Sequence, residues 1–283
     1  MTAPIYRKLS DMRALNAGWR RAGETIAVVP TMGALHAGHL SLVQAAKAAC
    51  DRVVVWIFVN PKQFNNPDDL RTYPRTEHDD AVKLAPYGVD AIYVPDVDQV
   101  YPEGFSTMVS VSGLTDVLCG ASRPGHFDGV ATVVSKIFLQ TGADQAFFGE
   151  KDFQQLQVVR RLVRDLDIPI TVTACPTVRE ASGLAMSSRN LRLSEQGLAN
   201  AAKLYPILQD IAVELAQDTR FAPLAERARL RLAEAGFGQI DYLDLRAEDD
   251  LGALDHPNRA ARLFAAAHLE GVRLIDNIPV PAV

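Results

Sequence analysis

The stretch RVVVWIFV, at positions 52–59, limits the possible folds of this chain more than any other feature. A strand with one face in water alternates apolar and polar side chains, whereas this stretch offers apolar side chains to both faces. It therefore predicts a strand that is buried on both sides. Such strands are typical of parallel sheets whose two faces are covered by helices.

Other strand patterns alternate with helix patterns along the first part of the chain. TIAVVP precedes the helix pattern HLSLVQAAKAAC, DAIYVP and DQAFF each follow further helix patterns, and IPITVTA closes the series. This alternation predicts an α/β fold with a Rossmann-like, doubly wound parallel sheet. In such sheets ligands bind beyond the carboxyl ends of the strands.

The character of the sequence changes near residue 178. The polar segment TVREASGLAMSSRNLRLSEQG is followed by Ala- and Leu-rich helix patterns, and then by the strand patterns IDYLDLR, ARLFAAAHL and VRLIDNIPV. We therefore expect a Rossmann-like domain over residues 1–178 and a smaller α+β domain over residues 179–283.

Charge and cysteine content narrow the class of protein. With 29 basic and 34 acidic residues the net charge is -5, which argues against a general nucleic-acid-binding surface. No apolar run is long enough to cross a bilayer, and the N-terminal segment is too charged for a signal peptide. The three cysteines form no CxxC pair and are typical of packing residues in a reducing compartment. We expect a cytoplasmic protein without a nucleic-acid or membrane partner.

Two histidines in PTMGALHAGHLSLV predict an anion site. His36 and His39 follow a buried strand, beside a helix expected to begin near Gly38 or His39. Free N–H groups and the helix dipole favour phosphate at such a terminus, and Gly33 and Gly38 permit close approach of the backbone. The alternative is a pair of ordinary capping histidines. The GK[ST] ending of a Walker loop is missing.

The segment FFGEKDFQQ carries a lysine at an unfavourable place for stability alone. Lys151 follows a strand and, with Asp152, is expected to open a helix whose dipole a lysine opposes. A bound anion would compensate, and a solvated surface lysine is the alternative.

Two further segments carry polar groups suited to a ligand. In GLAMSSRN, Ser187, Ser188 and Arg189 can bind a triphosphate, although such a loop is common on protein surfaces. In FVNPKQF, Asn60 and Gln63 follow the second strand and offer neutral hydrogen bonds to a small substrate. Capping amides in a turn are the alternative for this last pair.

These motifs resemble those of a known family. The strand–HAGH–helix segment resembles the HIGH-type signature of the nucleotidylyltransferase superfamily. MSSRN resembles the second, mobile signature loop of class I aminoacyl-tRNA synthetases, without its second lysine. Together with WIFVNPKQF, YPRT, RPGHFDGVATVV, FFGEKDFQQLQVVRRLV and DYLDLR, the chain is similar to the pantoate–β-alanine ligase family from about Pro30 onward. The resemblance implies ATP-dependent condensation of pantoate with β-alanine to pantothenate, AMP and pyrophosphate, through an enzyme-bound pantoyl adenylate.

The resemblance also implies roles for single residues. His39 is the implied catalytic acid, supported by His36, Lys151, Ser187, Ser188 and Arg189. Gln63 and Gln155 are implied to bind pantoate, with Asn60 as a helper. The implied ATP-binding residues are Met32, Gly33, Ala34, Leu35, His36, Ala37, Gly38, His39, Gly149, Glu150, Lys151, Asp152, Val178, Met186, Ser187, Ser188 and Arg189.

A metal, a quaternary state and a motion follow from the same resemblance. Asp79 and Asp80 match acidic positions near the Mg²⁺ that accompanies ATP, while Lys83 stands where a neutral amide is expected. The resemblance implies a homodimer. We expect the second domain to act as a lid, with its hinge near Val178 to Glu180, because MSSRN must reach phosphates that the first domain holds.

Two alternatives to the ligase stay open at this point. A different nucleotidylyltransferase would share HxGH but release a nucleotidylated product. A nucleotide-binding module would bind ATP without turnover. The pair Gln63 and Gln155, suited to a compact polyol acid, favours the ligase.

Overall fold

The structure is a computed structural model, and it describes residues 2–65, 67–217 and 219–283. The predicted alternation builds a six-stranded sheet in which every neighbouring pair is parallel. The spatial order is β1-β4-β3-β2-β5-β6. The strands are Ile5–Tyr6 (β1), Ile26–Thr31 (β2), Arg52–Ile57 (β3), Ala91–Tyr93 (β4), Gln145–Gly149 (β5) and Thr171–Cys175 (β6).

Helices connect these strands, as the periodicity predicts. They are Leu9–Arg21 (α1), Ala37–Ala49 (α2), Pro67–Thr72 (α3), Glu77–Leu84 (α4), Val97–Val100 (α5), Leu118–Ser122 (α6), His126–Thr141 (α7) and Phe153–Asp165 (α8). Short 3₁₀ helices cover Pro61–Gln63, Ala85–Tyr87, Glu150–Asp152 and Ser188–Arg192. Among the described residues, no helix is both long and apolar enough to cross a membrane.

The strand RVVVWI is buried on both faces, which confirms the prediction. Val53, Val54 and Val55 have no exposed surface, although successive side chains point to opposite faces of the sheet. Val53 and Val55 belong to a core that α2 helps to close with Leu42 and Val43. The α/β, Rossmann-like class is therefore confirmed.

The last part of the chain forms a three-stranded antiparallel sheet with helices. The helices are Glu195–Ala201 (α9), Leu204–Leu215 (α10) and Phe221–Glu234 (α11), and the strands are Ile240–Ala247 (β7), Ala261–Leu269 (β8) and Val272–Val280 (β9). The strand order is β7-β8-β9. Leu204, Leu208 and Leu215, spaced along one face of α10, pack in one core with Leu263 of β8 and Leu274 of β9.

The chain divides into two compact units, which we call unit 1 and unit 2. Unit 1 comprises the described residues up to Thr115, together with Cys119–Glu150 and Gln155–Pro176. Unit 2 comprises Asp116–Leu118, Lys151–Gln154 and the described residues of Thr177–Val283.

The expected division at residue 178 differs from these units in one important respect. It places Lys151 in the first domain, whereas the structure groups Lys151–Gln154 with unit 2. The physical reason is contact with the small sheet, since Asn277 binds the Lys151 carbonyl and Arg262 stacks on Phe153.

Two local features differ from the sequence-based expectations. Lys151 and Asp152 do not open the long helix but close a 3₁₀ turn, and α8 begins at Phe153. The edge strand β1 was not predicted, because its two residues, which pair with Ile92 and Tyr93, are too few to show a period.

Candidate active site

Three neighbouring strands of unit 1 end at the same edge of the sheet. Because β2 pairs in parallel with both β3 and β5, their carboxyl ends lie side by side. The segments that follow begin at Met32, Phe58 and Glu150. The chain reverses its direction of sheet growth between β2 and β5, and ligands of doubly wound sheets bind at such switch points. The motif segments of unit 1 therefore meet where the topology predicts a site.

The turn after β2 is held by a buried carboxylate. Gly33 and Ala34 both have positive φ, 83° and 50°, and a side chain on Gly33 would meet Asp80 Oδ2 at 3.1 Å. Asp80 accepts the backbone N–H groups of Ala34 at 2.9 Å and Leu35 at 2.8 Å, and the Thr76 hydroxyl at 3.1 Å. Three hydrogen bonds to one carboxylate stabilise a backbone conformation that alanine rarely adopts.

The two histidines form the N-terminal cap of α2. His36 is the N-cap residue, and its Nδ1 accepts the N–H of Gly38 at 3.2 Å. His39 Nδ1 accepts the N–H of His36 at 3.4 Å, and the ring centroids are 4.1 Å apart. A ring nitrogen that accepts cannot carry the proton, so each neutral ring is protonated at Nε2. The site thus presents two oriented Nε2–H donors at the positive end of a helix.

The carboxylates Asp79 and Asp80 do not form a pair. Asp80 has no exposed surface and is occupied by the turn after β2, whereas Asp79 is exposed. Lys83 also binds the turn after β2, because its ammonium group donates to the Leu35 carbonyl at 2.8 Å. In the part of the chain that the structure describes, no group of three or more His, Cys, Asp or Glu side chains could hold a metal ion.

Asn60 is a support for Gln63 and is only 1% exposed. Its amide donates to Gln63 Oε1 at 2.9 Å and to the Gly129 carbonyl at 3.0 Å. Its Oδ1 accepts from the N–H of Lys62 at 3.3 Å and from the Tyr101 hydroxyl at 2.8 Å. These four bonds use the whole capacity of an asparagine amide, so the expected helper role reduces to orienting Gln63.

The Gln63 amide contacts the segment that follows β2 within unit 1. Its Nε2 donates to the sulfur of Met32 at 3.2 Å. Its backbone carbonyl is bound by Arg123 at 3.1 Å and approached by His126 Nδ1 at 2.8 Å. Burial raises the pKa of Tyr101, which therefore keeps the proton that it donates to Asn60.

Gly129 is a supporting residue that the sequence interpretation overlooked. A side chain here would lie 2.2 Å from the Lys62 carbonyl oxygen, so only glycine lets α7 approach the Pro61–Gln63 turn. A lone glycine within the helix pattern DGVATVV was the available signal.

Unit 2 contains the other two segments predicted to bind phosphate, namely the turn with Lys151 and the loop with Ser187. Lys151 lies in the 3₁₀ turn, with its side chain 20% exposed and its ammonium group 3.9 Å from Asp152. Ser187 begins the 3₁₀ helix Ser188–Arg192, and its oxygen accepts the N–H of Arg189 at 3.2 Å. In this cap the Ser187 hydroxyl is the acceptor and does not donate its proton.

A short hairpin precedes Ser187. Met186 N–H binds the Val178 carbonyl at 3.0 Å, and Arg179 pairs with Ala185 in an antiparallel bridge. The buried Asn190 closes it, because its amide donates to Glu180 at 2.9 Å and to the Ala185 carbonyl at 3.1 Å. The polar segment is therefore an ordered loop with defined anchors.

The predicted site residues fall into both units. Unit 1 holds Met32, Gly33, Ala34, Leu35, His36, Ala37, Gly38, His39, Asn60, Gln63, Asp79, Asp80, Gly149, Glu150 and Gln155. Unit 2 holds Lys151, Asp152, Val178, Met186, Ser187, Ser188 and Arg189. Gln155 lies in the first turn of α8 and is partly buried.

Known proteins are similar to this chain over nearly its whole length. The sequence pattern of the pantoate-beta-alanine ligase family matches residues 4–279. Pantothenate synthetase of Ruegeria pomeroyi is 71% identical over 280 residues, 99% of this chain and 98% of that protein. Pantothenate synthetase of Ruegeria sp. strain TM1040 is 65% identical over 280 residues, 99% of this chain and 100% of that protein.

Solved structures agree with the sequences. Pantothenate synthetase of Thermus thermophilus is 42% identical with a TM-score of 0.91, covering 98% of this chain and 99% of that one. A pantoate-beta-alanine ligase of Francisella tularensis, complexed with beta-gamma ATP and beta-alanine, is 35% identical with a TM-score of 0.83. That match covers 98% of this chain and 97% of the other.

Proposed function

The chain belongs to the pantoate-beta-alanine ligase family, and on that premise we propose which of its residues carry each step of the reaction. The enzyme condenses pantoate with β-alanine and consumes ATP, giving pantothenate, AMP and pyrophosphate through a pantoyl adenylate. This reaction belongs to the biosynthesis of pantothenate and coenzyme A.

In the first step, we propose that His36 and His39 stabilise the reacting phosphate. An oxygen of the pantoate carboxylate attacks the α-phosphorus, and the bond to pyrophosphate breaks. Negative charge grows on the α-phosphate oxygens and on the departing pyrophosphate, so the step needs fixed donors. The Nε2–H groups at the start of α2, fixed by their Nδ1 bonds to the backbone, are such donors. This arrangement is the observation that carries the proposal.

The polar groups of unit 2 suit the other phosphates. We propose that Lys151 and Arg189 balance the charge of the departing pyrophosphate, and that Ser187 and Ser188 donate hydrogen bonds to it. The Ser187 hydroxyl is suited to this role because accepting from the Arg189 N–H does not use the hydroxyl proton. The remaining ATP-binding assignments, including Gly149, Glu150, Asp152, Val178 and Met186, are proposed on the family resemblance.

We propose that Mg²⁺ enters with ATP, as part of the substrate. The implied pair Asp79 and Asp80 does not fit a resident metal site, because Asp80 is buried and hydrogen-bonded to the backbone N–H groups of Ala34 and Leu35. No step is therefore assigned to a protein-held metal.

We propose that Gln63 and Gln155 bind pantoate. Replacing either with alanine is expected to raise the KM for pantoate roughly 5- to 150-fold, because a buried substrate group without its partner costs about 1 to 3 kcal/mol. The KM for ATP should change less than twofold. Initial rates at varied pantoate and fixed, saturating ATP measure the effect.

Gln157→Ala provides a matched control for this prediction. Gln157 lies two residues further along α8 and is equally partly buried. Its replacement is expected to leave both KM values unchanged. An equal loss of ATP affinity in Gln63→Ala or Gln155→Ala would assign these side chains to the nucleotide and contradict the proposal.

In the second step, the amine of β-alanine attacks the acyl carbon, loses a proton and displaces AMP. Water would compete for the anhydride, so the reaction favours a site that closes. We propose that unit 2 acts as a lid.

Backbone amides of residues 183–190 are then expected to exchange hydrogen more slowly when ATP is bound, whereas those of α11 should not change. Unchanged exchange in 183–190 at saturating ATP would contradict the lid.

The products separate this ligase from the two alternatives. Incubation with ATP, Mg²⁺, pantoate and β-alanine is expected to release AMP and pyrophosphate in equal amounts, with sustained turnover only when both acids are present. A nucleotidylated product would identify another nucleotidylyltransferase, and binding without turnover would identify a binding module. Formation of ADP would exclude the adenylate.

We propose a cytoplasmic homodimer. All three cysteines are buried, and no disulfide joins cysteines in the described part of the chain. Burial raises the pKa of the Cys50 and Cys175 thiols, so both stay protonated as packing groups, which suits a reducing compartment. The dimer rests on the family resemblance, and sedimentation at the mass of a 30.8 kDa monomer would contradict it.

A further inference from the structure

Among the buried polar side chains of unit 2, one from β8 and two from β9 have no part in the proposed reaction. Arg262, Asp276 and Asn277 are 5%, 4% and 3% exposed. Burying polar and charged groups is costly unless each is fully bonded, so their bonds indicate what they hold in place.

Asn277 and Arg262 hold the turn that carries Lys151. The Asn277 amide donates to the Lys151 carbonyl at 2.8 Å, and Arg262 Nη1 donates to Asn277 Oδ1 at 2.6 Å. Arg262 is itself fixed by Glu248 at 3.0 Å and stacks on Phe153, with its guanidinium carbon 3.9 Å from the ring centroid. The lysine therefore projects from a turn whose carbonyl is bound to β9.

Asp276, the preceding residue of β9, holds the loop that contains Ser187. It pairs with Arg179 through two bonds of 2.7 and 2.9 Å. Arg179 stacks on Tyr205 at 3.7 Å, donates to the Gly183 carbonyl at 3.1 Å and is bridged to Ala185. This bidentate pair anchors the hairpin that leads into Ser187.

Adjacent residues of a strand point to opposite faces of its sheet. Asp276 shares its face with the core residues Leu274 and Ile278, which pack with the helices of unit 2. Asn277 pairs in register with Phe264, whose ring centroid lies 6.0 Å from that of Phe153, so the Lys151 turn lies on the other face. One pair of neighbouring residues thus anchors both segments of unit 2 that are proposed to bind phosphates.

We infer that Asn277 is a positioning residue for Lys151, and that Asp276 does the same for the Ser187 loop. The inference rests on the proposed role of Lys151. If Asn277 and Asp276 both act in this way, Lys151, Ser187 and Arg189 move together with β9 as one rigid set. A lysine and two donors that must meet the same phosphates benefit from a common frame, because small misplacements of reacting groups cost large factors in rate.

The test is a double-mutant cycle between Asn277→Asp and Lys151→Ala. An aspartate keeps the size and the bond to Arg262 but cannot donate to the Lys151 carbonyl. Lys151→Ala is expected to slow single-turnover adenylate formation about a hundredfold. Asn277→Asp alone should slow it about tenfold, with the KM for pantoate unchanged. In the Lys151→Ala background, Asn277→Asp should slow it less than twofold further, because its effect is exerted through Lys151.

Asp241→Asn is the matched control. Asp241 lies in β7 of the same sheet and pairs with Arg273 at 2.6 Å. This change should alter adenylate formation less than twofold in both backgrounds, even where it lowers the thermal midpoint. If Asn277→Asp does not fold, Asn277→Ala is measured in its place with the same expectations, since the β9 backbone bonds remain.

The outcomes separate the inference from its premise. If the rate reductions caused by Asn277→Asp and Lys151→Ala multiply in the double variant, the inference is overturned while the role of Lys151 stays intact. A wild-type rate for Asn277→Asp would do the same. A wild-type rate for Lys151→Ala would withdraw the proposed role of Lys151, and the inference with it.

Discussion

Replacing His39 with alanine is expected to lower the rate of pantoyl adenylate formation about 100- to 1000-fold while the protein stays folded. The loss is that of one oriented donor to the charge growing on the phosphate. His39 is partly exposed, and its hydrogen bond with the His36 N–H is long, at 3.4 Å. Isotope exchange between pyrophosphate and ATP in the presence of pantoate measures the step directly.

Two variants serve as comparisons for His39→Ala. His78→Ala removes a histidine of α4 that is not among the proposed site residues and should have the wild-type rate. His36→Ala should reduce both activity and stability, the latter by about 1 kcal/mol, because His36 is the N-cap of α2. If the thermal midpoint of His39→Ala fell together with its activity, the histidine would be a structural cap.

Replacing Asp80 with asparagine is expected to lower the free energy of unfolding by about 2 to 3 kcal/mol. The asparagine keeps one acceptor, but its amide group faces a backbone N–H that the carboxylate now binds. The turn through Gly33 and Ala34 would lose its restraint, so adenylate formation should also fall by about tenfold or more. Urea unfolding and the pyrophosphate exchange assay measure the two effects.

Asp79→Asn is the control for that experiment. Asp79 is exposed, so its replacement should change stability by about 0.5 kcal/mol or less. A role of Asp80 as a metal ligand makes a different prediction, namely a raised Mg²⁺ requirement with unchanged stability. That result would contradict the assignment of Asp80 to the turn.

The fold class was accessible from the sequence, and the site segments could be predicted from it, because both depend on local patterns. A run such as RVVVWI is typical of a covered parallel sheet, and Val53, Val54 and Val55 are indeed buried. The carboxyl ends of such strands share one edge, so HAGH and NPKQF could be placed near each other before any coordinates. The length of the motifs then made the family recognisable.

The roles of Asn60 and Asp80 were not accessible in this way. Both are polar residues near the predicted site, and a sequence does not distinguish a side chain that faces a ligand from one that supports its neighbours. Burial and saturation of hydrogen bonds make that distinction, and the bonds come from Tyr101, Gly129 and the turn at Ala34. These partners lie 41, 69 and 46 residues away along the chain.

The alternation of elements, the Rossmann-like class and the family follow from the sequence alone, which also predicts the segments proposed to carry the chemistry. Each of these depends on short-range periodicity or on contiguous motifs. The grouping of Lys151 with the small sheet follows from tertiary contacts, namely the bond from Asn277 to the Lys151 carbonyl and the stacking of Arg262 on Phe153. Such a grouping depends on what a residue packs against, and the bond between Asn277 and Lys151 joins positions 126 residues apart.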